Sequence, residues 1–117
     1  MGKTILVVDD KKNIRDLLEF FLTESGYKTI LCEDGQYAVP HINQADLLIT
    51  DFNMPKMNGV ELAKIAKREK PNMPVIIMTG NSWEVPAAHL ADRIINKPFD
   101  VGQLKKVIAD LLSDNIS

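Results

Sequence analysis

Apolar residues along the chain fall into two alternating patterns. Short unalternated runs rich in β-branched residues occur at Ile5 to Val8, Thr29 to Cys32, Leu47 to Thr50 and Val75 to Thr79, with a weaker one at Arg93 to Asn96. Such runs predict strands buried on both faces of a parallel sheet, because a strand with one wet face would alternate apolar and polar positions. Between them the period changes. Ile14, Leu17, Leu18, Phe21 and Leu22 stand at i, i+3, i+4, i+7 and i+8, the stripe of an amphipathic helix, and Gly26 follows as its stop. Leu62, Ile65 and Ala66 predict a helix that opens after Asn58-Gly59 and closes ahead of Pro71, whose ring disfavours helical geometry in the preceding residue. Leu104, Val107, Ile108, Leu111 and Leu112 predict the last helix, with Asp100 as N-cap and Gln103 three residues on, before the polar end Ser113 to Ser117.

Two segments read less simply. Gln36 to Asn43 offers an apolar face in Tyr37, Val39 and Ile42, but Pro40 lies inside it and must kink or shorten the helix. Ser82 to Ala91 contains Pro86 and few large apolar residues. The order is still strand then helix, five times over, which predicts an α/β fold with a parallel sheet covered on both faces. Right-handed crossovers leave few topologies for five such units. The expected architecture is a doubly wound five-stranded parallel sheet of flavodoxin-like order 2-1-3-4-5, with the fourth helix short or distorted.

Composition narrows the function classes. With 117 residues the chain is expected to form one domain, spanning 1–117. Fourteen Lys and Arg against sixteen Asp and Glu leave a formal charge of −2, so no basic surplus exists to neutralise a nucleic-acid backbone or an anionic membrane. Neither is expected as a partner. The one cysteine, Cys32, has no disulfide mate and reads as a small core residue. The opening MGKTILVVDD meets two acids before a signal-peptide apolar region is complete, and no apolar run nears the ~20 residues of a membrane span, so a cytoplasmic location is expected.

In open sheets of this kind ligands bind beyond the carboxyl ends of the strands. Strand 1 ends in Asp9-Asp10, strand 3 in Asp51, strand 4 in Thr79-Gly80 and strand 5 in Lys97-Pro98. Each motif alone is ordinary turn or strand-end chemistry; together they put three carboxylates and one ammonium in one crevice. That excess negative charge calls for a divalent cation, and oxygen-only donors shared with a phosphate favour Mg²⁺. In this reading Asp9 and Asp10 hold the ion, Asp51 is a carboxylate nucleophile, and Lys97 and the Thr79 hydroxyl take phosphoryl oxygens. The crowding of acids should also raise at least one carboxyl pKa by like-charge repulsion in metal-free protein.

The set Asp9-Asp10, Asp51-Phe-Asn-Met-Pro-Lys-Met-Asn-Gly59, Thr79-Gly80 and Lys97-Pro98-Phe99 resembles the receiver domain of two-component response regulators over essentially the whole chain. The resemblance implies that Asp51 is the phosphoacceptor, that Asp10 and Asp51 ligate Mg²⁺ directly, that Asp9 acts through water and that the Asn53 main-chain carbonyl completes the set. It implies a cis bond at Lys97-Pro98. The phosphodonor would be a phosphohistidine of a sensor histidine kinase or phosphotransfer protein, or a small acyl phosphate, and an unknown downstream protein would read the result. Such a protein is no enzyme in the ordinary sense, since it catalyses only its own phosphoryl transfer and dephosphorylation. Asn53 and Asn81 would flank the attacking water. The alternative is a receiver-like interaction module that phosphorylation does not regulate.

The chain departs from the family in two places. Receivers commonly carry Tyr or Phe three residues before the lysine, whereas here Ile94 stands there. An aliphatic side chain has no ring to swing between solvent and core. The stretch from Thr79 to Lys97 is also shorter than usual and contains Trp83, read as either a partner anchor or a lid packed on the shortened loop, with the lid favoured.

Overall fold

The computed structural model describes residues 2–113, so most of the polar end expected after the last helix lies outside the described residues. Strands β1 (Thr4–Val8), β2 (Lys28–Cys32), β3 (Leu47–Asp51), β4 (Val75–Thr79) and β5 (Arg93–Asn96) alternate with helices α1 (Lys12–Glu24), α2 (Gly35–Ala38) and α3 (Gly59–Glu69), and α4 (Val101–Leu112) follows β5. All five strands are parallel, in the order β2-β1-β3-β4-β5. The order reverses between β1 and β3, where Val8 lies opposite Thr50, and this pairing sets Asp9 and Asp51 side by side.

The unalternated strands bury both faces. Leu6, Val8, Leu48, Val75 and Ile77 pack with Ala38, Ile42, Leu62, Ala63 and Ala66 on one side. Ile5, Val7, Leu47, Ile49, Ile76 and Met78 pack with Leu18, Phe21, Leu22, Leu104 and Ile108 on the other. Successive side chains of a strand point to opposite faces, so a continuous apolar run feeds two cores at once. The edge strands are only partly covered, and Cys32 is buried at the end of β2. Among the described residues no helix is long and apolar enough to cross a membrane.

Helix ends follow local chemistry. Gly26 adopts φ 94 just past α1, a conformation that costs a residue with a Cβ. Asn58 and Glu61 form a reciprocal capping box at the start of α3, a signal present in the sequence as Asn-x-x-Glu and passed over there. Asp100 caps α4 as expected, accepting from the Gly102 N–H at 3.2 Å.

Three expectations are corrected. Leu17 stands 43% exposed although it belongs to the apolar stripe of α1, because α1 buries Leu18, Phe21 and Leu22 and leaves the flank of the stripe in solvent. Tyr37 is 63% exposed. One α-helical turn there gives way to 3₁₀ geometry over Val39–Gln44, with Pro40 at its start, so Ile42 and Val39 meet the core as expected while Ala38 takes the place expected for Tyr37. Trp83 is no lid: it projects into solvent, 84% exposed.

The fourth crossover is short and distorted, as expected. It contains two single 3₁₀ turns, Ser82–Glu84 and Ala88–Leu90, with Ala87 between them at φ 53 and ψ 39. Val85 anchors it in the core, with Ala87, Ala88, Leu90 and Ala91 against the same cluster. Its exit is pinned by Asp92 Oδ2, which accepts from the Val75 N–H and from Lys67 Nζ, both at 2.8 Å.

Candidate functional site

The site lies at the carboxyl ends of the strands. Asp9 continues β1, and its N–H donates to the Cys32 carbonyl at 3.1 Å. The Asp9 carbonyl accepts from Arg15 Nη1 at 2.8 Å, Oδ1 accepts from the Lys11 N–H at 2.9 Å, and Oδ2 pairs with Lys97 Nζ at 3.1 Å. Asp9 is therefore fully buried yet bonded at both carboxylate oxygens, as a buried charge must be to persist. Asp10 is exposed, with Lys11 Nζ at 3.8 Å.

Asp51 is the last residue of β3 and is buried. The ladder runs one residue further, since the Phe52 N–H donates to the Met78 carbonyl at 2.8 Å. The carbonyl of Asp51 accepts from Thr50 Oγ1 at 3.0 Å, and its Oδ1 lies 3.0 Å from Lys97 Nζ. The following loop turns back through Lys56 at φ 72 and closes where the Gly59 N–H meets the Phe52 carbonyl at 2.9 Å. Asn53 sits on this loop, exposed.

Lys97 reaches both buried acids from the far side. Its N–H donates to the Thr79 carbonyl at 2.8 Å, and the Lys97-Pro98 bond is cis. Thr79 is buried at the end of β4, and its hydroxyl accepts from the Asn81 N–H at 3.1 Å. Asn81 Oδ1 is buried without a hydrogen-bond partner among the described residues, an acceptor suited to a donor such as water.

The electrostatics follow from this packing. Burial pushes the Asp51 carboxyl above its ordinary value; the Lys97 hydrogen bond and charge oppose that, and the charges of Asp9 and Asp10 add to it. An acid of the cluster is thus raised, but burial comes ahead of the like-charge repulsion expected from the sequence. Burial pulls the Lys97 amine down, and the bonds to Asp51 and Asp9 with their charges outweigh it, so the amine ends above its ordinary value.

One carboxylate oxygen each from Asp9, Asp10 and Asp51 lie within 4.8 Å of one another. Oxygens ~2.1 Å from a Mg²⁺ ion stand at most about 4.2 Å apart, so this all-oxygen group fits a small hard dication after modest side-chain movement. The structure thus brings together Asp9, Asp10, Asp51 and Lys97, sets Thr79 on the neighbouring strand end, and leaves Asn53 on the loop beyond Asp51. Sequence reasoning missed Arg15, which steadies Asp9. Nothing in a helix pattern says which backbone carbonyl a guanidinium will find.

A doubly wound five-stranded parallel sheet of order 2-1-3-4-5, with acids gathered at the switch point where such sheets bind ligands, places the chain among the flavodoxin-like α/β domains. The response regulator receiver domain family matches residues 5–109, and the chain belongs to that family. It is 33% identical over 118 residues to the alkaline phosphatase synthesis transcriptional regulatory protein PhoP of Bacillus subtilis, covering 96% of this chain and 49% of that protein. It is 31% identical to the response regulator SaeR of Staphylococcus aureus, covering 93% and 50%. The chain spans about half the length of these curated relatives. Among solved structures it resembles the response regulator TrrA of Thermotoga maritima in complex with Mg²⁺-BeF, with TM-score 0.87, 35% identity and coverage of 94% of this chain and 99% of that one. It also resembles the chemotaxis protein CheY4 of Vibrio cholerae, with TM-score 0.86, 26% identity and coverage of 96% and 100%. Receiver domains of this family serve two-component signalling, and their partners are histidine kinases or phosphotransfer proteins.

Proposed function

We propose that residues 1–117 act as one receiver domain, switched in the cytoplasm by a phosphoryl group on Asp51. The observation that carries this reading is the buried Asp51 carboxylate, with Oδ1 held 3.0 Å from Lys97 Nζ inside a group of three acids. Its other oxygen would attack phosphorus in line as the phosphorus–nitrogen bond of a phosphohistidine, or the phosphorus–oxygen bond of a small acyl phosphate, breaks. The leaving imidazole or carboxylate departs with that bond's electron pair. Lys97 would donate to the transferred group from its place beside Asp51, and the Thr79 hydroxyl would donate from the end of β4.

Asp10, Asp51 and the Asn53 main-chain carbonyl would hold Mg²⁺, with Asp9 acting through water. The ion supplies charge neutralisation for the phosphoryl oxygens. The Mg²⁺-BeF complex of TrrA supports carrying this ion over. Asn81 Oδ1, an acceptor awaiting a donor, supports a role beside the water that ends the signal. With Ile94 in the position of the usual aromatic, the change would leave mainly through Gly80 to Ala91, altering how a downstream protein binds.

The experiment is to incubate the protein with Mg²⁺ and a small acyl phosphate and follow intact mass. Wild type gains one phosphoryl group and Asp51→Asn gains none while remaining folded. Labelling that persists in Asp51→Asn rejects the assignment. A wild type that stays unlabelled but still binds a partner supports the interaction-module alternative.

A further inference from the structure

Gly35, the first residue of α2, is under no backbone demand for glycine, and what a side chain there would meet is Met57. Its φ is outside the left-handed region, yet a Cβ built on it would stand 2.8 Å from Met57 Sδ and 3.2 Å from Met57 Cβ and Cγ. The Met57 side chain therefore lies flat on the glycine. Methionine suits such a seat, being unbranched and able to follow a shallow surface.

Both sides of this contact are anchored. Ahead of Gly35, buried Asp34 accepts the Tyr37 N–H at 3.0 Å, and the Cys32 carbonyl takes the N–H of Asp9 at 3.1 Å. On the other side, the Met57 N–H donates to the Pro55 carbonyl at 2.8 Å, and Asn58 caps α3. Gly59 then rests against the Asp51 carbonyl, where an added Cβ would come within 2.6 Å. The contact thus joins the corner that supports Asp9 to the loop that carries Asn53.

We propose that Met57 is a positioning residue: seated on Gly35, it fixes the Phe52 to Asn58 loop against the start of α2, so that the loop's share of the ion site is assembled before the phosphodonor arrives. This rests on the reading of Asp51 as phosphoacceptor with Mg²⁺ as its ion.

The test is a double-mutant cycle on the full chain, with Mg²⁺ alone as the first probe, a small acyl phosphate as the second, and thermal unfolding of the metal-free proteins as the third. Gly35→Ala should displace Met57 and weaken Mg²⁺ binding and slow labelling by about tenfold, Met57→Ala should weaken both as well because the seated side chain is gone, and the double variant should lie within about twofold of Met57→Ala alone. A merely structural role would lower the unfolding temperature of Gly35→Ala and leave the Mg²⁺ affinity of the folded protein unchanged, which overturns the proposal. A double variant in which the two single losses simply add overturns it as well, because two substitutions that remove one shared contact cannot be additive. Should Gly35→Ala not fold, Met57→Leu decides, because its branched Cγ cannot lie flat on the intact glycine: weakened Mg²⁺ binding supports the seat, and wild-type affinity refutes it. If the cycle closes but wild type takes no phosphoryl group, the phosphoacceptor reading falls and the positioning role stands. If wild type is labelled and Gly35→Ala matches it in affinity and rate, the reverse holds.

Discussion

Replacing Gly59 by Ala tests how closely α3 is built against the phosphoacceptor loop. A Cβ at this position would lie 2.6 Å from the Asp51 carbonyl oxygen, 3.0 Å from Phe52 Cα and 3.2 Å from the Asp51 carbonyl carbon. These are backbone atoms, and the carbonyl already accepts from Thr50 Oγ1 at 3.0 Å, so no side chain can rotate away. Ordinary contact needs roughly 3.5 Å, and the helix start or the Asp51 peptide must therefore move by about 0.9 Å. A clash with backbone falls in the upper part of the roughly 1–3 kcal/mol range for overpacking, about 2–3 kcal/mol, and the helix propensity of alanine offsets at most about 1 kcal/mol of it, leaving about 1–2 kcal/mol. For a domain of this size each kcal/mol shifts the unfolding midpoint by about 4 °C, so Gly59→Ala should unfold about 4–8 °C below wild type. Gly102→Ala is the control. It also lies in the first turn of a helix, but its Cβ would meet only Asp100 Oδ1, at 3.7 Å, so its midpoint should equal or exceed wild type. Thermal unfolding followed by circular dichroism reads both variants, and labelling by a small acyl phosphate should slow in Gly59→Ala because the displaced peptide belongs to Asp51. A Gly59→Ala protein as stable and as reactive as wild type would refute the reasoning.

Lys97→Met leaves the carboxylates of Asp9 and Asp51 facing each other without their shared counter-charge; with the lysine side chain 21% exposed, the loss should be about 2–3 kcal/mol in metal-free urea unfolding, and added Mg²⁺ should recover part of it. Because the Lys97 amine is raised in the fold, its contribution is fully present below the unfolded pKa and is lost only as pH climbs through the folded value, so the gap should hold across neutral pH; a gap insensitive to Mg²⁺ would count against the pairing. The Asp51 carboxyl is also raised, which for an acid means no penalty below its unfolded pKa and the full penalty above the folded one. Asp51→Asn should therefore stabilise metal-free protein at neutral pH, with a gain that shrinks as pH falls through the carboxylate range; a gain that grows on acidification would contradict the sign. Ala87→Gly relieves a left-handed residue and should raise stability by about 0.5–1 kcal/mol after the entropy cost of glycine, whereas a lowered midpoint would show that the Ala87 methyl's packing matters more than its φ.

The elements and the crevice were legible in the chain because each rests on local or nearly local rules. Strands buried on both faces must read as unbroken apolar runs, so β1, β3 and β4 were evident from Ile5 to Val8, Leu47 to Thr50 and Val75 to Thr79. Parallel strands share one carboxyl edge, so the residues after each run, Asp9-Asp10, Asp51, Thr79 and Lys97, were bound to meet there once the order was set. Pro40 and Pro86 announced broken crossovers, since each removes a helix donor whatever the surroundings.

Tertiary structure decided what lies at the margins of those patterns. A stripe tells which residues can be buried, but a neighbour must cover them, and so Leu17 and Tyr37 belong to apolar patterns yet remain in solvent. Trp83 is large and apolar in mass, but Val85 is the side chain of that crossover that enters the core, and Trp83 stands outside. The pKa of Asp51 depends on burial first, a quantity that spacing in the chain does not contain. Met57 belongs to the loop motif after Asp51 and reads as a packing residue, but that its seat is Gly35, twenty-two positions away, appears only when two crossovers converge and the missing Cβ of one leaves room for the other. Sequence determines periodicity and end chemistry because these act over a few residues; which backbone a side chain presses against is settled by how the layers close.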